Sequence, residues 1–224
     1  MSMLMSSLQL PSESLVNSIK PKIDGMIEEL ITALPASEKL TSAERRGIIA
    51  RYTAVLEGNF IYWMTAAYLS VESAKARPII LDNLHEEVRD AHPAMLRNFA
   101  IAAQAFPTDT DALAVHQDLT SVRLFFGRLL GVQSLVTMAF FEGFIQRFMA
   151  FLADIAALQG SSEMEYTDVH GICDVEHTDG LFRALGLELA VNPCEDNQDL
   201  YEGVNLLRTL IETIVWNRAG VRAE

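Results

Sequence analysis

The chain has 224 residues, of which 50% are hydrophobic and 21% are charged, so it can bury a full core and is not intrinsically disordered. Its 30 acidic and 17 basic residues give a net charge of −13 at pH 7, which disfavours nucleic acids and anionic membranes as partners. Its two cysteines, Cys173 and Cys194, are too few for a disulfide framework or a thiolate zinc site.

Neither the N-terminal residues nor the most apolar stretch is typical of a membrane-directed protein. Residues 1–7 lack a basic segment followed by a long apolar one, so we expect no signal peptide. The apolar stretch 135–158 is interrupted by Glu142, Gln146, Arg147 and Asp154, which argues against a membrane span. We therefore expect a cytoplasmic protein.

The hydrophobic pattern predicts helices along nearly the whole chain and no strand. The sequence thus indicates an all-α fold, a bundle of seven to eight helices in a single domain over residues 1–224. In chain order, the predicted helices cover residues 12–34, with Pro21 as an early break; 42–73, capped by Thr41 or Ser42; 78–106, opened by Pro78 and kinked or restarted at Pro93; 112–130; 134–158; 163–189, ended by Asn192 and Pro193; and about 198–217.

The most informative segment lies in the helix predicted over 163–189. There His170, Asp174 and His177 follow one another at spacings of four and three, so that their side chains project from one helical face. Two imidazoles and a carboxylate are ligands that suit iron or manganese, and less specifically zinc. The alternative is a solvated polar face on which the histidines are incidental.

A metal ion in a helical bundle takes ligands from facing helices, and Glu142 is the obvious partner. It lies between large apolar residues, where a lone carboxylate costs several kcal/mol unless it is neutralised or paired. A cation in the core would remove that cost. The alternatives are that Glu142 pairs with Arg147 or reaches solvent.

A second source of ligands is the segment 82–93, which holds two histidines, His85 and His92, among four acidic residues. Such a run is usually a solvated face. In a straight helix His92 would lie on the same face as His85 or Asp82. Pro93 can kink or restart the helix, so the spacing alone does not show which of these residues lies next to His92.

Together these residues resemble the haem-oxygenase-like di-metal oxidases and oxygenases, a family with CADD-like and UndA-like members on the TenA/PqqC-like fold. The late His-x-x-x-Asp-x-x-His helix of that family is matched by His170, Asp174 and His177, and its central-helix glutamate by Glu142. Its early Asn-Leu-x-Glu-Glu stretch and its His-Pro-x-x-Leu stretch are matched by residues 83–87 and 92–96. The resemblance spans about residues 57–188.

The resemblance implies a haem-oxygenase-like bundle with two metal ions, Fe(II) or alternatively manganese, and O₂ as co-substrate. Glu86 could replace Glu87 as a ligand, and Glu57 is a further candidate. The implied ligands are Glu87, His92, Glu142, His170, Asp174 and His177.

The implied activity is O₂-dependent oxidation of a small organic substrate, an amino acid or a fatty acid, in a biosynthetic or natural-product pathway. A carboxylate on that substrate could be bound by an arginine, and the candidates are Arg123, Arg128, Arg147 and Arg183. A homodimer is also expected. Two other hypotheses compete: a TenA-like thiamin-pyrimidine hydrolase, which needs a nucleophilic cysteine near the bundle centre, and a non-enzymatic helical protein that binds a partner.

Overall fold

In the computed structural model, which describes residues 11–194 and 199–217 except for the side chains of 11, 12 and 173, the chain forms eight α-helices and one 3₁₀ turn, without a strand. The all-α fold predicted from the sequence is therefore confirmed. The helices are α1 Pro11–Thr32, α2 Ser42–Ser70, α3 Arg77–Arg89, α4 His92–Ala102, α5 Asp109–Phe126, α6 Gly131–Leu158, α7 Glu165–Leu189 and α8 Glu202–Trp216, with the 3₁₀ turn at Ser37–Lys39.

Local capping chemistry sets the beginnings of α2 and α5. The Thr41 hydroxyl accepts from the Glu44 backbone N–H, and the Glu44 carboxylate accepts from the Thr41 N–H at 2.7 Å. Thr108 and Asp111 make the same reciprocal pair at the start of α5. The predicted cap at Thr41 is confirmed, while the predicted start of the last helix, residue 198, lies outside the described residues.

Pro21 does not break the first helix, so that prediction is wrong. Proline inside a helix removes one hydrogen bond and costs about 3 kcal/mol. Here Ile19 and Ile23, on either side of Pro21, are buried in the core, as are Ile27 and Leu30 further along. Packing of this apolar stripe keeps the segment helical on both sides of the proline.

Pro93 does mark a boundary, as predicted. Helix α3 ends at Arg89, Ala91 adopts a left-handed conformation with φ 57°, and α4 begins at His92 with Pro93 in its first turn. The chain therefore turns between α3 and α4, and His92 is not on the straight continuation of α3.

Helix α6 is the central element and packs against α1, α2, α7 and α8. It is long and apolar enough to cross a membrane, but 78% of its most apolar window is buried inside the bundle, as in the core helix of a water-soluble domain. Its most extensive packing is against α7. At Gly143 an added Cβ would lie 3.0 Å from Ile27 Cδ1, so the missing side chain lets α1 approach α6 closely.

A buried carboxylate joins the C-terminal end of α7 to the turn that follows α2. Glu188, which is fully buried, accepts hydrogen bonds from the backbone N–H groups of Glu72 and Ser73 at 2.9 to 3.2 Å. Gly131 lies against the same carboxylate, because a Cβ there would be 2.9 Å from Glu188 Oε1 and 2.8 Å from the Ser70 carbonyl oxygen. This contact holds the ends of α2, α6 and α7 together.

We predict that Glu188→Ala lowers the free energy of unfolding by about 2–4 kcal/mol, because it leaves two backbone N–H groups without their charged acceptor. Chemical denaturation followed by circular dichroism measures the change. The matched control is Glu165→Ala, an exposed glutamate on the same helix, for which we expect a change within about 0.5 kcal/mol. Equal stability of the two variants would contradict this role of Glu188.

Candidate metal centre

The structure brings the six predicted ligands together in two buried clusters. Within each cluster, one ligand atom from every residue lies within 4.8 Å of the others, so each could hold a metal ion. The first cluster comprises Glu87, His92 and His170, and the second comprises Glu142, Asp174 and His177.

The first cluster combines one residue from each of α3, α4 and α7. His92 Nδ1 lies 2.8 Å from Glu87 Oε1, and His170 Nε2 lies 3.9 Å from the same oxygen. The two imidazole rings meet edge to face, with centroids 4.5 Å apart. The contact between residues 87 and 92 depends on the turn at Ala91, since a straight helix would place them on different faces.

The second cluster combines Glu142 of α6 with two residues of α7. His177 Nδ1 lies 3.6 Å from Asp174 Oδ1 and 3.9 Å from Glu142 Oε2. Glu142 is 1% exposed, so its carboxylate is removed from water. It forms no ion pair with Arg147, which instead binds Asp24 and Glu28 of α1. The alternative of a Glu142–Arg147 pair is therefore excluded.

Helix α7 contributes to both clusters. Its residues 170, 174 and 177 share one buried face, as their spacing predicts, but His170 belongs to the first cluster while Asp174 and His177 belong to the second. One helical turn thus separates the two groups of ligands along the same helix.

Hydrogen bonds outside the clusters orient two of the imidazoles. His170 Nδ1 lies 2.8 Å from the Tyr166 carbonyl oxygen, which can only accept, so Nδ1 carries the hydrogen and Nε2 faces Glu87 with its lone pair. His177 Nε2 lies 2.9 Å from Glu86 Oε2, which leaves Nδ1 directed at the second cluster. Partners of this kind fix the tautomer of metal-binding histidines.

Of the two neighbouring glutamates that the sequence offered as alternative ligands, Glu87 lies in the first cluster and Glu86 lies outside both clusters. Glu86 is half-exposed and contacts the outer nitrogen of His177. Glu57 is in neither cluster, because Arg97 binds its carboxylate. The exposed His85 is also in neither cluster.

The protonation of the clusters follows from burial and charge. Burial raises the pKa of Glu142 well above its ordinary value, and the nearby Asp174 carboxylate raises it further. For His177, burial alone would lower the pKa, but the carboxylates around it, Asp174 first, outweigh burial and raise the pKa to about 10. Burial lowers the pKa of His170. When no cation is bound, protons on Glu142 and His177 therefore offset the negative charge of the second cluster.

The arrangement fits a divalent cation. With metal–ligand bonds of about 2.1 Å, neighbouring ligand atoms lie about 3 Å apart and opposite ones about 4.2 Å apart. Four of the six ligand pairs in the two clusters are separated by 2.8 to 3.9 Å, close to that range. His177 Nδ1 is buried and has no hydrogen-bond partner, a costly state for a polar atom that a metal bond would relieve.

Two cavities adjoin the clusters. One, of about 20 Å³, has room for about one water-sized molecule and lies against Glu87, His92, His170 and Glu142. Most of its other walls are apolar, formed by Leu56, Phe60, Ile61, Pro93, Leu96 and Ile145. The other, of about 200 Å³, opens between α3 and α7 beside His177.

Sequence reasoning did not assign a role to three residues that support the clusters. Asn83 donates to Glu142 Oε1 at 2.8 Å and so positions that carboxylate. The Tyr166 ring packs against the His170 imidazole with centroids 4.2 Å apart, and its hydroxyl is 2.8 Å from that of Tyr52. The position of Asn83 on the same helical face as Glu86 and Glu87, three and four residues before them, could have indicated its role. Nothing in the sequence near Tyr52 or Tyr166 indicates that these two residues of different helices are in contact.

No family model matches this chain, and no curated protein or solved structure is significantly similar to it. The family resemblance drawn from the sequence motifs stays a prediction.

Proposed function

We propose that this protein is a non-haem di-iron oxidase or oxygenase that activates O₂ to oxidise a small organic substrate. The observation that carries the proposal is the pair of buried clusters, each with carboxylate and imidazole ligands, joined by one turn of α7. Nitrogen and oxygen ligands of this type suit iron and manganese. The helical bundle and the motif spacing support the same assignment to a haem-oxygenase-like fold.

Charge balance supports two divalent ions rather than one. Two such ions bring four positive charges. Glu87, Glu142 and Asp174 supply three negative charges within the clusters, and Glu86 supplies a fourth at the outer nitrogen of His177. A nearly neutral assembly is the least costly to bury.

When bound, two Fe(II) ions would supply the electrons that reduce O₂. The residues of the chain hold the ligands in place and exclude water. Tyr166 and Glu86 orient His170 and His177, and Asn83 orients Glu142. The small, mainly apolar cavity beside His92 and His170 has room for one molecule about the size of a diatomic gas.

The competing hydrolase hypothesis receives no support from the described cysteine. Cys194 lies beyond the end of α7, and burial raises the pKa of its thiol, which opposes a nucleophilic role. The side chain of Cys173 lies outside the described residues. A protein that only binds a partner would not need three carboxylates in its core, since their burial is costly.

We predict that the chain binds two Fe(II) ions under anaerobic equilibrium dialysis, measured by elemental analysis. His177→Ala should bind about one, because the ligands of the first cluster are untouched. His116→Ala, a change at an exposed histidine of α5, is the control and should bind two. Circular dichroism checks that helicity is retained. Two irons in His177→Ala, or none in the unsubstituted chain, would refute the ligand assignment.

We predict that metal affinity rises with pH. The pKa of His177 in the metal-free fold is about 10, so this residue is protonated at pH 6 to 8 and the metal must displace its proton. Each displaced proton strengthens apparent binding about tenfold per pH unit, or about 100-fold from pH 6 to pH 8. Titration with redox-stable Mn(II), followed by electron paramagnetic resonance of the free ion, measures it. A pH-independent affinity would contradict the ligand role of His177.

We predict that the Fe(II)-loaded chain consumes O₂ faster than the same Fe(II) in buffer, measured with an oxygen electrode. The isosteric change Glu142→Gln should lower the rate by at least about tenfold, because disturbing even the outer partners of metal ligands commonly costs 10- to 100-fold. The matched control is Glu165→Gln, the same change at an exposed glutamate of α7, which should leave the rate unchanged. Equal rates for protein-bound and free Fe(II) would overturn the proposed oxidase.

A further inference from the structure

Arg51 is the one lysine or arginine side chain that is buried within the described part of the chain, with 7% of its surface exposed. It lies on the third turn of α2. Its Nε donates to the Ile214 carbonyl oxygen at 2.8 Å, near the C-terminal end of α8. An arginine near a helix end often binds a free carbonyl in this way. This contact uses one of the five N–H groups of the guanidinium and accounts for the position of Nε alone.

The two Nη groups of Arg51 have no acceptor. Within residues 11–194 and 199–217, neither Nη donates a hydrogen bond and no ion pair includes Arg51. Burial lowers the pKa of Arg51, and the charge of Asp111 offsets this only in part, because Asp111 is paired with Arg46 at 2.9 Å. A guanidinium removed from water without a counter-charge is costly, and a bound anion would remove that cost.

The free end of the guanidinium is accessible from a cavity. Arg51 lines a cavity of about 520 Å³ between the start of α2 and the end of α8. Its Nη atoms keep accessible surface, unlike the enclosed and unpartnered Nε of Arg45. A Cβ at Gly47 would lie 2.8 Å from Arg51 Nη1, so the missing side chain at that position leaves room for the guanidinium. A ligand in the cavity can therefore reach the two Nη groups.

The other walls of this cavity favour an anion with one negative charge and an apolar body. Glu44 is the one acidic residue among the described residues that line it, and its carboxylate accepts from Thr41, which lowers the pKa of Glu44. An ionised carboxylate in the wall disfavours a ligand with two negative charges, such as phosphate. The lining also includes four apolar side chains, which are Pro35, Leu40, Val215 and Trp216.

We propose that this cavity binds a small organic monocarboxylate with an apolar body. The carboxylate pairs with the two Nη groups of Arg51, which are the donors that a bidentate arginine–carboxylate contact requires. The apolar part of the ligand lies against Leu40, Val215 and Trp216. None of the residues that line this cavity belongs to the two ligand clusters or to the cavities beside them. The site is therefore separate from the candidate metal centre and does not depend on the proposed function.

Arg51 differs from the four arginines that the sequence offered for binding a carboxylate. Arg128 and Arg147 are paired with carboxylates of other helices. Arg123 and Arg183 are exposed, so water can satisfy their N–H groups. Arg51 combines burial with free N–H groups, and this combination depends on the packing of α2 against α8.

The experiment is isothermal titration calorimetry of the full chain with benzoate and hexanoate, in the absence of metal so that neither binds to a metal ion. At least one should bind, and its neutral amide and inorganic phosphate should each bind at least about tenfold more weakly. Binding should also change the tryptophan fluorescence, because Trp216 lines the cavity while Trp63 is fully buried. Absence of binding by both carboxylates, or equally tight binding of the amides or of phosphate, would overturn the inference.

Two substitutions test the role of the guanidinium. Arg51→Gln should weaken carboxylate binding about tenfold or more, and Arg183→Gln, the same change at an exposed arginine, should leave it unchanged. Gly47→Ala should also weaken binding, because the added methyl group displaces Nη1. Its matched control is Gly58→Ala on the same helix, where a Cβ meets no atom within 4 Å.

Circular dichroism of all four variants checks that helicity is retained. Alanine is a better helix former than glycine, so Gly47→Ala keeps the test valid even if Arg51→Gln unfolds. If the folded Gly47→Ala chain binds the carboxylate as tightly as Gly58→Ala does, the guanidinium of Arg51 is not the binding group and the inference is wrong.

Discussion

The burial of three carboxylates among three imidazoles is the interaction on which the rest of this structure depends. Like charges so close together in a core are costly unless protons or cations neutralise them. In the metal-free fold the raised pKa values of Glu142 and His177 show that protons take that role. Divalent cations could take the same role, and His177 Nδ1, which has no hydrogen-bond partner and lies 3.6 Å from Asp174 Oδ1, could be one of their ligands. A site of this kind could hold metal ions.

The bundle holds this assembly in place by contacts remote from it. Glu188 ties the end of α7 to the turn after α2, and so helps to set the position of the helix that supplies half of the ligands. The absence of a side chain at Gly143, next to Glu142, allows α1 to pack closely on α6. Rigid support of this type matters because ligand atoms must be placed to within a fraction of an ångström.

The two cavities have opposite character, and they lie against different parts of the centre. The small one is mainly apolar and adjoins all three residues of the first cluster together with Glu142. The larger one is polar and charged and adjoins His177 of the second cluster. Under the proposed function, the small cavity would suit an apolar gas such as O₂, because its walls are mainly apolar.

The sequence by itself determined the fold class and pointed to the candidate ligands, with Glu86 and Glu87 left as alternatives. The apolar periodicity predicts the helices, and the spacing of His170, Asp174 and His177 on one helix places them on one face, because both signals arise within a single helix. The predicted break at Pro21 is wrong: α1 continues through this residue, and Ile19 and Ile23 on either side of it are buried. That burial depends on packing against other helices, which the local sequence does not show.

Only the tertiary structure decided how the ligands divide into two clusters and whether Glu86 or Glu87 faces inward. The left-handed turn at Ala91 returns His92 to Glu87, and the packing of α3 against α7 brings Glu86 to the outer nitrogen of His177. These pairings join residues of different helices. Helical periodicity shows which side chains share a face of one helix, but it carries no information on the distance between two helices. The pairings between helices therefore follow from packing alone.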